Sequence, residues 1–275
     1  MESSSSATAS TSFVVDFGSS SGIVLPSSLT CTKGSGFKKN PTCTRTSDTQ
    51  FTVVGASSQL DLTFSPIYTF TIANLQNPSS AKVISTATVK SYNSATLIYT
   101  DTLTSFTYTA ITIDSCTLSS SLTTVGATAT VSLKCDLESA VPSGGIIYFS
   151  APKWVGTSYG ATIPVSMLDS LSDCNAASDI IGNAPTCDTD IDTSSSATTD
   201  YITITNAFST TGGASAGDTV EIQFVDFVNP PSTLALSGFE VKFQDSSGND
   251  INIMSGISLT VTQANDLSSS TFVQL

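Results

Sequence analysis

Histidine is absent from the 275 residues. That excludes Ser-His-Asp and Cys-His nucleophilic arrangements, and the cysteines present are expected to be oxidised, so no enzyme is expected. Basic residues are scarce, nine against twenty-two acidic ones for a net charge of −13. Such a surface repels nucleic acid and anionic lipid, so neither is expected as a partner. No apolar run approaches the ~20 residues of a membrane span, and membrane insertion is not expected. No segment sustains a helical period of apolar residues. No C-x-x-C occurs, and no Asn-x-Ser/Thr acceptor occurs except Asn40-Pro41-Thr42 and Asn77-Pro78-Ser79, where proline blocks the reaction. Any sugar coat is therefore expected to be O-linked. The Met1-Glu2-Ser3-Ser4 start has neither a basic region nor an apolar run, so a secreted reading expects the chain in its mature form.

What is present is a β grammar. Charged residues are 11 % of the chain while Ser and Thr make up about a third, a composition common to secreted β proteins and disordered stalks. Regular alternation of Val, Ile and Phe favours the folded alternative. Strands are predicted at Phe13–Phe17, Gly22–Leu25, Gln50–Val54, Leu60–Phe64, Tyr68–Ile72, Thr88–Tyr92, Thr96–Tyr99 and Phe106–Ile113. Gly, Pro, Asn and Ser interrupt the pattern every ten residues or so, which predicts an all-β sandwich.

Six cysteines fall into the local pairs Cys31/Cys43, Cys116/Cys135 and Cys174/Cys187. Pairing of this kind predicts disulfides and an oxidising compartment, although six cysteines formally allow fifteen connectivities. Zinc is the rival reading, disfavoured by long spacings and the missing histidine; no metal or other cofactor is expected. The central pair carries an internal check. A hairpin turning at Val125-Gly126 sets Cys116 opposite Cys135 if the strands Cys116–Leu118 and Thr128–Cys135 pair around it.

Much of the chain occurs twice. Ile146–Phe149 matches Phe13–Phe17, and the loop Cys174–Cys187, closing on Pro185-Thr186-Cys187, matches Cys31–Cys43, closing on Pro41-Thr42-Cys43. Tyr201–Ile204 matches Gln50–Val53, and Val220–Phe224 with its Asn229-Pro230-Pro231-Ser232 turn matches Tyr68–Ile72 with Asn77-Pro78-Ser79-Ser80. The offset drifts from 143 to 152, as loop insertions require. The hairpin at 116–135 occurs once. The expected organisation is an incomplete sandwich over 1–113, a complete one over 114–262 and a tail over 263–275. A sandwich short of its N-terminal strands exposes a cleft and unpaired backbone groups. The tail places Leu267, Ser269, Thr271, Val273 and Leu275 at every second position, the pattern of a strand able to fill such a cleft in another copy.

Charge divides as unevenly as architecture. Residues 1–113 hold six basic and five acidic residues (+1), while 114–275 hold three basic and seventeen acidic (−14). Lys33, Lys38, Lys39 and Arg45 crowd the first cysteine loop and its exit; the corresponding region of the second copy carries Asp173, Asp179, Asp188, Asp190 and Asp192. Unlike ends favour head-to-tail contact, and a contact that does not close on itself gives an open fibre.

Other chemistry is weaker. Asp188-Thr189-Asp190-Ile191-Asp192 has alternate carboxylates like a calcium loop, but Thr193 and Thr199 stand where such a loop needs glycine and glutamate, so a solvated acidic loop is the expectation. Runs such as Thr107-Tyr108-Thr109 resemble ice-binding arrays but lack a fixed period. No local motif nominates a pair of glycosidase carboxylates.

The Asn-Pro-x-Ser turn, the Pro142-Ser143-Gly144-Gly145-Ile146-Ile147 strand entry and the Pro-Thr-Cys loop closure make the chain resemble the repeated immunoglobulin-like modules of large protist surface proteins. The resemblance implies tandem immunoglobulin-like antiparallel β-sandwiches at a cell surface. Its assembly logic also resembles that of donor-strand fibre subunits such as chaperone-usher pili. The function expected is therefore a subunit of an extracellular filament assembled head to tail by strand complementation; the alternative is a monomeric adhesin or glycan-binding module.

Overall fold

The structure, a computed structural model, describes residues 11–54, 69–158, 161–177, 185–190, 198–205, 207–208 and 212–262. The predicted strand Leu60–Phe64 lies outside them. The chain divides into two compact units, Met1–Tyr108 and Thr109–Leu275. Among the described residues the only helical element is a single 3-10 turn, Ser19–Ser21.

In the first unit the strands are β1 (Thr11–Asp16), β2 (Cys31–Lys33), β3 (Thr42–Arg45), β4 (Gln50–Val54), β5 (Phe70–Ile72), β6 (Lys82–Ile84), β7 (Thr88–Asn93), β8 (Thr96–Thr102) and β9 (Phe106–Tyr108). Five form one sheet in the order β3-β4-β1-β7-β8; β2 pairs with β5, and β6 with β9. Val15, Phe51 and Val53 project from the large sheet into a core that β5 meets from the other side, Phe51 and Phe70 standing edge to face at 6.2 Å. The predicted strand Gly22–Leu25 is instead a single bridge between Val24 and Gln76. Gly22 is left-handed (φ 75°) and Pro26 has no N–H to continue a ladder, so only one residue pair forms.

The second unit begins with β10 (Ile111–Thr112), β11 (Cys116–Ser120) and β12 (Thr128–Asp136), then β13 (Ile146–Pro152), β14 (Trp154–Ser158) and β15 (Ala161–Val165). It continues with β16 (Asp173–Ala176), β17 (Thr186–Asp190), β18 (Thr199–Thr205), β19 (Thr219–Val228), β20 (Leu236–Gln244) and β21 (Asp250–Leu259). The predicted strand Phe106–Ile113 is thus two strands with different partners, β9 on β6 and β10 parallel to β21, because the chain passes there from one unit to the other. The sheets are β10-β21-β20-β13-β18-β17 and β11-β12-β19-β16, with β14 and β15 as a separate hairpin. Phe149 of the first sheet stacks on Phe224 of the second at 4.7 Å, at the centre of one continuous core. The hairpin register is as expected, with Cys116 opposite Cys135 and Leu118 opposite Leu133.

Strand order makes these immunoglobulin-like sandwiches. In the second unit β11-β12-β19-β16 and β13-β20-β21 reproduce the four-plus-three sheet arrangement of that fold, with β17 and β18 added beside β13. The first unit repeats seven of these strands: β3-β4-β1-β7-β8 corresponds to β17-β18-β13-β20-β21, and β2-β5 to β16-β19. Register fixes the equivalence. Cys43 lies opposite Val53 and Cys187 opposite Ile204, while Cys31 lies opposite Ile72 and Cys174 opposite Phe224. Tyr201–Ile204 and Val220–Phe224 therefore fall on the residues the sequence repeat pairs them with. The pair β11-β12 has no counterpart among the described residues of the first unit.

Candidate functional site

The difference bears on β5. In the second unit β19 lies between β16 and β12, with Ile222 opposite Leu133 and Phe224 opposite Val131. Its equivalent β5 pairs with β2 and with no other described strand. Backbone direction follows from the flanking bonds: Thr69 N–H donates to the Ser35 carbonyl at 3.0 Å and Ala73 N–H to the Thr30 carbonyl at 3.4 Å. Alternation along an antiparallel strand then turns Thr71 towards β2 and aims the N–H and C=O groups of Phe70 and Ile72 at the opposite side, where no described strand pairs. Burial agrees. Phe70 and Ile72 are only half-buried, whereas Ile222 and Phe224 are 0 % exposed. A further residue marks the gap. Asn229, fully buried, donates to the Leu122 and Thr124 carbonyls at 2.8 and 2.9 Å and so ties β19 to the hairpin loop. Its equivalent in the repeat, Asn77, is exposed.

All three expected disulfides form. Cys31–Cys43 joins β2 to β3 and Cys174–Cys187 joins β16 to β17, each clipping one sheet to the other at a Cα separation of 5.9 Å. Cys116–Cys135 staples β11 to β12 at 4.2 Å. With every cysteine in a disulfide, none is left as a nucleophile or ligand.

Around the first disulfide, Lys33, Lys38 and Lys39 are exposed, and Lys33 Nζ donates to the Lys38 carbonyl at 3.1 Å. Arg45 differs: it closes β3 and is ion-paired to Asp48. In the second unit Asp188 and Asp190 of the acidic loop expected over 188–192 fall in the strand Thr186–Asp190, held by pairing of Asp188 with Thr203 and Asp190 with Tyr201, while residues 191–192 lie outside the described residues. Asp188 stands exposed on this strand. Among the described residues no group of three or more His, Cys, Asp or Glu is placed to hold a metal. Asp192, Asp179 and the tail residues Leu267, Ser269, Thr271, Val273 and Leu275 lie outside the described residues.

Two features escape a reading of the sequence. The first is a buried ion pair, Lys153 Nζ to Asp200 Oδ1 at 3.2 Å, with side chains 4 % and 1 % exposed, between the end of β13 and β18. The second is the outward face of the second unit's large sheet. Tyr148 and Tyr201 stack there at 5.2 Å, and Lys242 Nζ stands 5.5 Å from the Tyr148 ring. Lys242 also meets Glu240 at 3.1 Å and Asp250 at 4.0 Å. Partial burial works against its charge, but the Glu240 hydrogen bond and the charges of Glu240, Asp250 and Tyr148 outweigh it, and the ammonium is held above its ordinary pKa. Two tyrosines at outward positions of adjacent predicted strands were the available signal. Their alignment depends on a strand register that no motif announces.

No family model matches the chain, and no curated protein matches it. Among solved structures, it is similar to a Nocardia farcinica protein described as having an immunoglobulin-like fold, at 13 % identity and a TM-score of 0.32, over 54 % of this chain and 98 % of that one. A structure described as Gaeumannomyces graminis manganese lipoxygenase with partial Komagataella pastoris zonadhesin gives 10 % and 0.23, over 93 % and 82 %. The collagen adhesin of S. aureus gives 8 % and 0.23, over 91 % and 82 %. At such scores the immunoglobulin-like assignment rests on strand order rather than on these likenesses.

Proposed function

We propose that the chain is a non-enzymatic structural subunit of an extracellular assembly, in which copies join head to tail and residues 263–275 of one copy add as a strand to β5 of the next. The observation that carries this reading is the edge of β5, which among the described residues lacks the strand its equivalent has. A donor there meets the outward N–H and C=O groups of Phe70 and Ile72 and covers their half-buried side chains. The alternating tail Leu267, Ser269, Thr271, Val273 and Leu275 suits that role, and the contrast between a +1 first half and a −14 second half favours unlike ends. Three disulfides in 275 residues fit an oxidising, extracellular setting. Glycans, if carried, are O-linked.

Sedimentation and negative-stain microscopy of the full chain, with and without residues 263–275, test the proposal. Filaments are expected from the full chain and monomers from the shortened one. Monomers from both contradict it and leave the adhesin reading, which a glycan screen then examines.

A further inference from the structure

Building on the head-to-tail reading, we infer a second contact between copies: the lysine-bearing cystine loop of one copy's first unit docks on the tyrosine-carboxylate face of another copy's second unit. The face is laid out by register. Asp188, Thr203, Tyr148 and Lys242 lie side by side across β17, β18, β13 and β20, and Tyr201, Ser150 and Glu240 form the next row. Tyr148, Tyr201, Glu240 and Lys242 are all half-exposed, so this side of the sheet is a surface rather than a core. It already accommodates one ammonium, because Lys242 sits over the Tyr148 ring and against Glu240. On the opposite side of the tyrosines stands Asp188, exposed and in no ion pair among the described residues. Asp188, Glu240 and Asp250 against Lys242 leave the face net negative. Aromatic rings bordered by carboxylates attract a cation by both ring quadrupole and charge.

The complementary surface is in the other unit. Between Cys31 and Cys43 the chain has three lysines and no acidic residue, and the matching loop of the second unit has no basic residue. The loop is pinned by its disulfide, by Lys33 N–H donating to Asn40 Oδ1 at 3.1 Å, and by Lys33 Nζ on the Lys38 carbonyl. Lys38 and Lys39 are exposed on this pinned backbone, so binding has to order their side chains but not the loop. One surface of each kind per copy makes the contact heterologous, so it propagates in the same sense as strand exchange.

Equal amounts of unlabelled and 15N-labelled full chain, treated at low salt with a carbodiimide that joins amine to carboxylate without a spacer, test this contact. Isotopically mixed peptides linking Lys33, Lys38 or Lys39 to Asp188, Glu240 or Asp250 are expected, and they should vanish at high salt. In a mixture of K33Q/K38Q/K39Q with D188N/E240Q, the link should survive in one direction only, from lysines of the second variant to carboxylates of the first. Filaments that form without mixed links overturn the docking and leave strand exchange intact. Mixed links without filaments retain the docking and overturn the tail. Links confined to single copies also overturn it.

Discussion

The two units of this chain share a strand plan and differ in what fills it. In the second, one continuous cluster runs from Ile113 to Leu259, and β12 contributes Val131, Leu133 and Cys135 to it. In the first, the described core is two separate clusters, one around Phe51 and Val53 and one around Ile23, Ile84 and Ala87. Among the described residues β5 has one sheet partner where β19 has two, and Phe70 and Ile72 are half-buried where their equivalents Ile222 and Phe224 are fully buried. The large sheet keeps its five-strand order, so the described difference lies along one side of β5.

That comparison can be broken most forcefully at the core. Phe224→Ala should cost the second unit about 3–5 kcal/mol in chemical denaturation. Ile72→Ala, at the equivalent position, should cost clearly less in the shortened chain and approach the value for a buried aliphatic residue once assembly covers β5. Equal costs in both forms would mean that assembly leaves β5 as it was. Asp200→Ala strands the buried Lys153 ammonium and should cost about 3–5 kcal/mol, seen in the unfolding of the second unit only. Its equivalent in the first unit is Thr49, which bears no charge, so the pair sharpens the difference between the units. A smaller contrast lies at the Asn-Pro turns. Asn229→Ala removes the buried amide that donates to the Leu122 and Thr124 carbonyls and should cost about 1–3 kcal/mol, while Asn77→Ala, exposed in the first unit, should be near neutral by the same measurement.

Most of this plan was legible as sequence. The hairpin register follows from one turn and two cysteines, and each later pairing agrees with it because a one-residue slip would turn Leu118 and Leu133 to the wrong face. The repeat was legible because disulfide loops and Asn-Pro turns are local, and local signals survive insertions between them. What was not legible depends on partners distant in sequence. Gly22–Leu25 alternates like a strand but finds one bridge, and β10 alternates with β9 yet pairs in the other unit. Thr186–Asp190 has the composition of an acidic loop and becomes a strand because β18 offers it a ladder. The Lys153 and Asp200 pair unites two charges 47 positions apart, and no pattern in either strand singles them out.

Amide hydrogen exchange at β5 tests the central claim most directly, with Thr71 as an internal control because its N–H faces β2. In the assembled full chain the amides of Phe70 and Ile72 should be as protected as that of Thr71. Removal of residues 263–275 should release Phe70 and Ile72 to fast exchange while Thr71 stays slow. Fast exchange at Phe70 and Ile72 in the full chain, or protection that persists without the tail, would contradict the account.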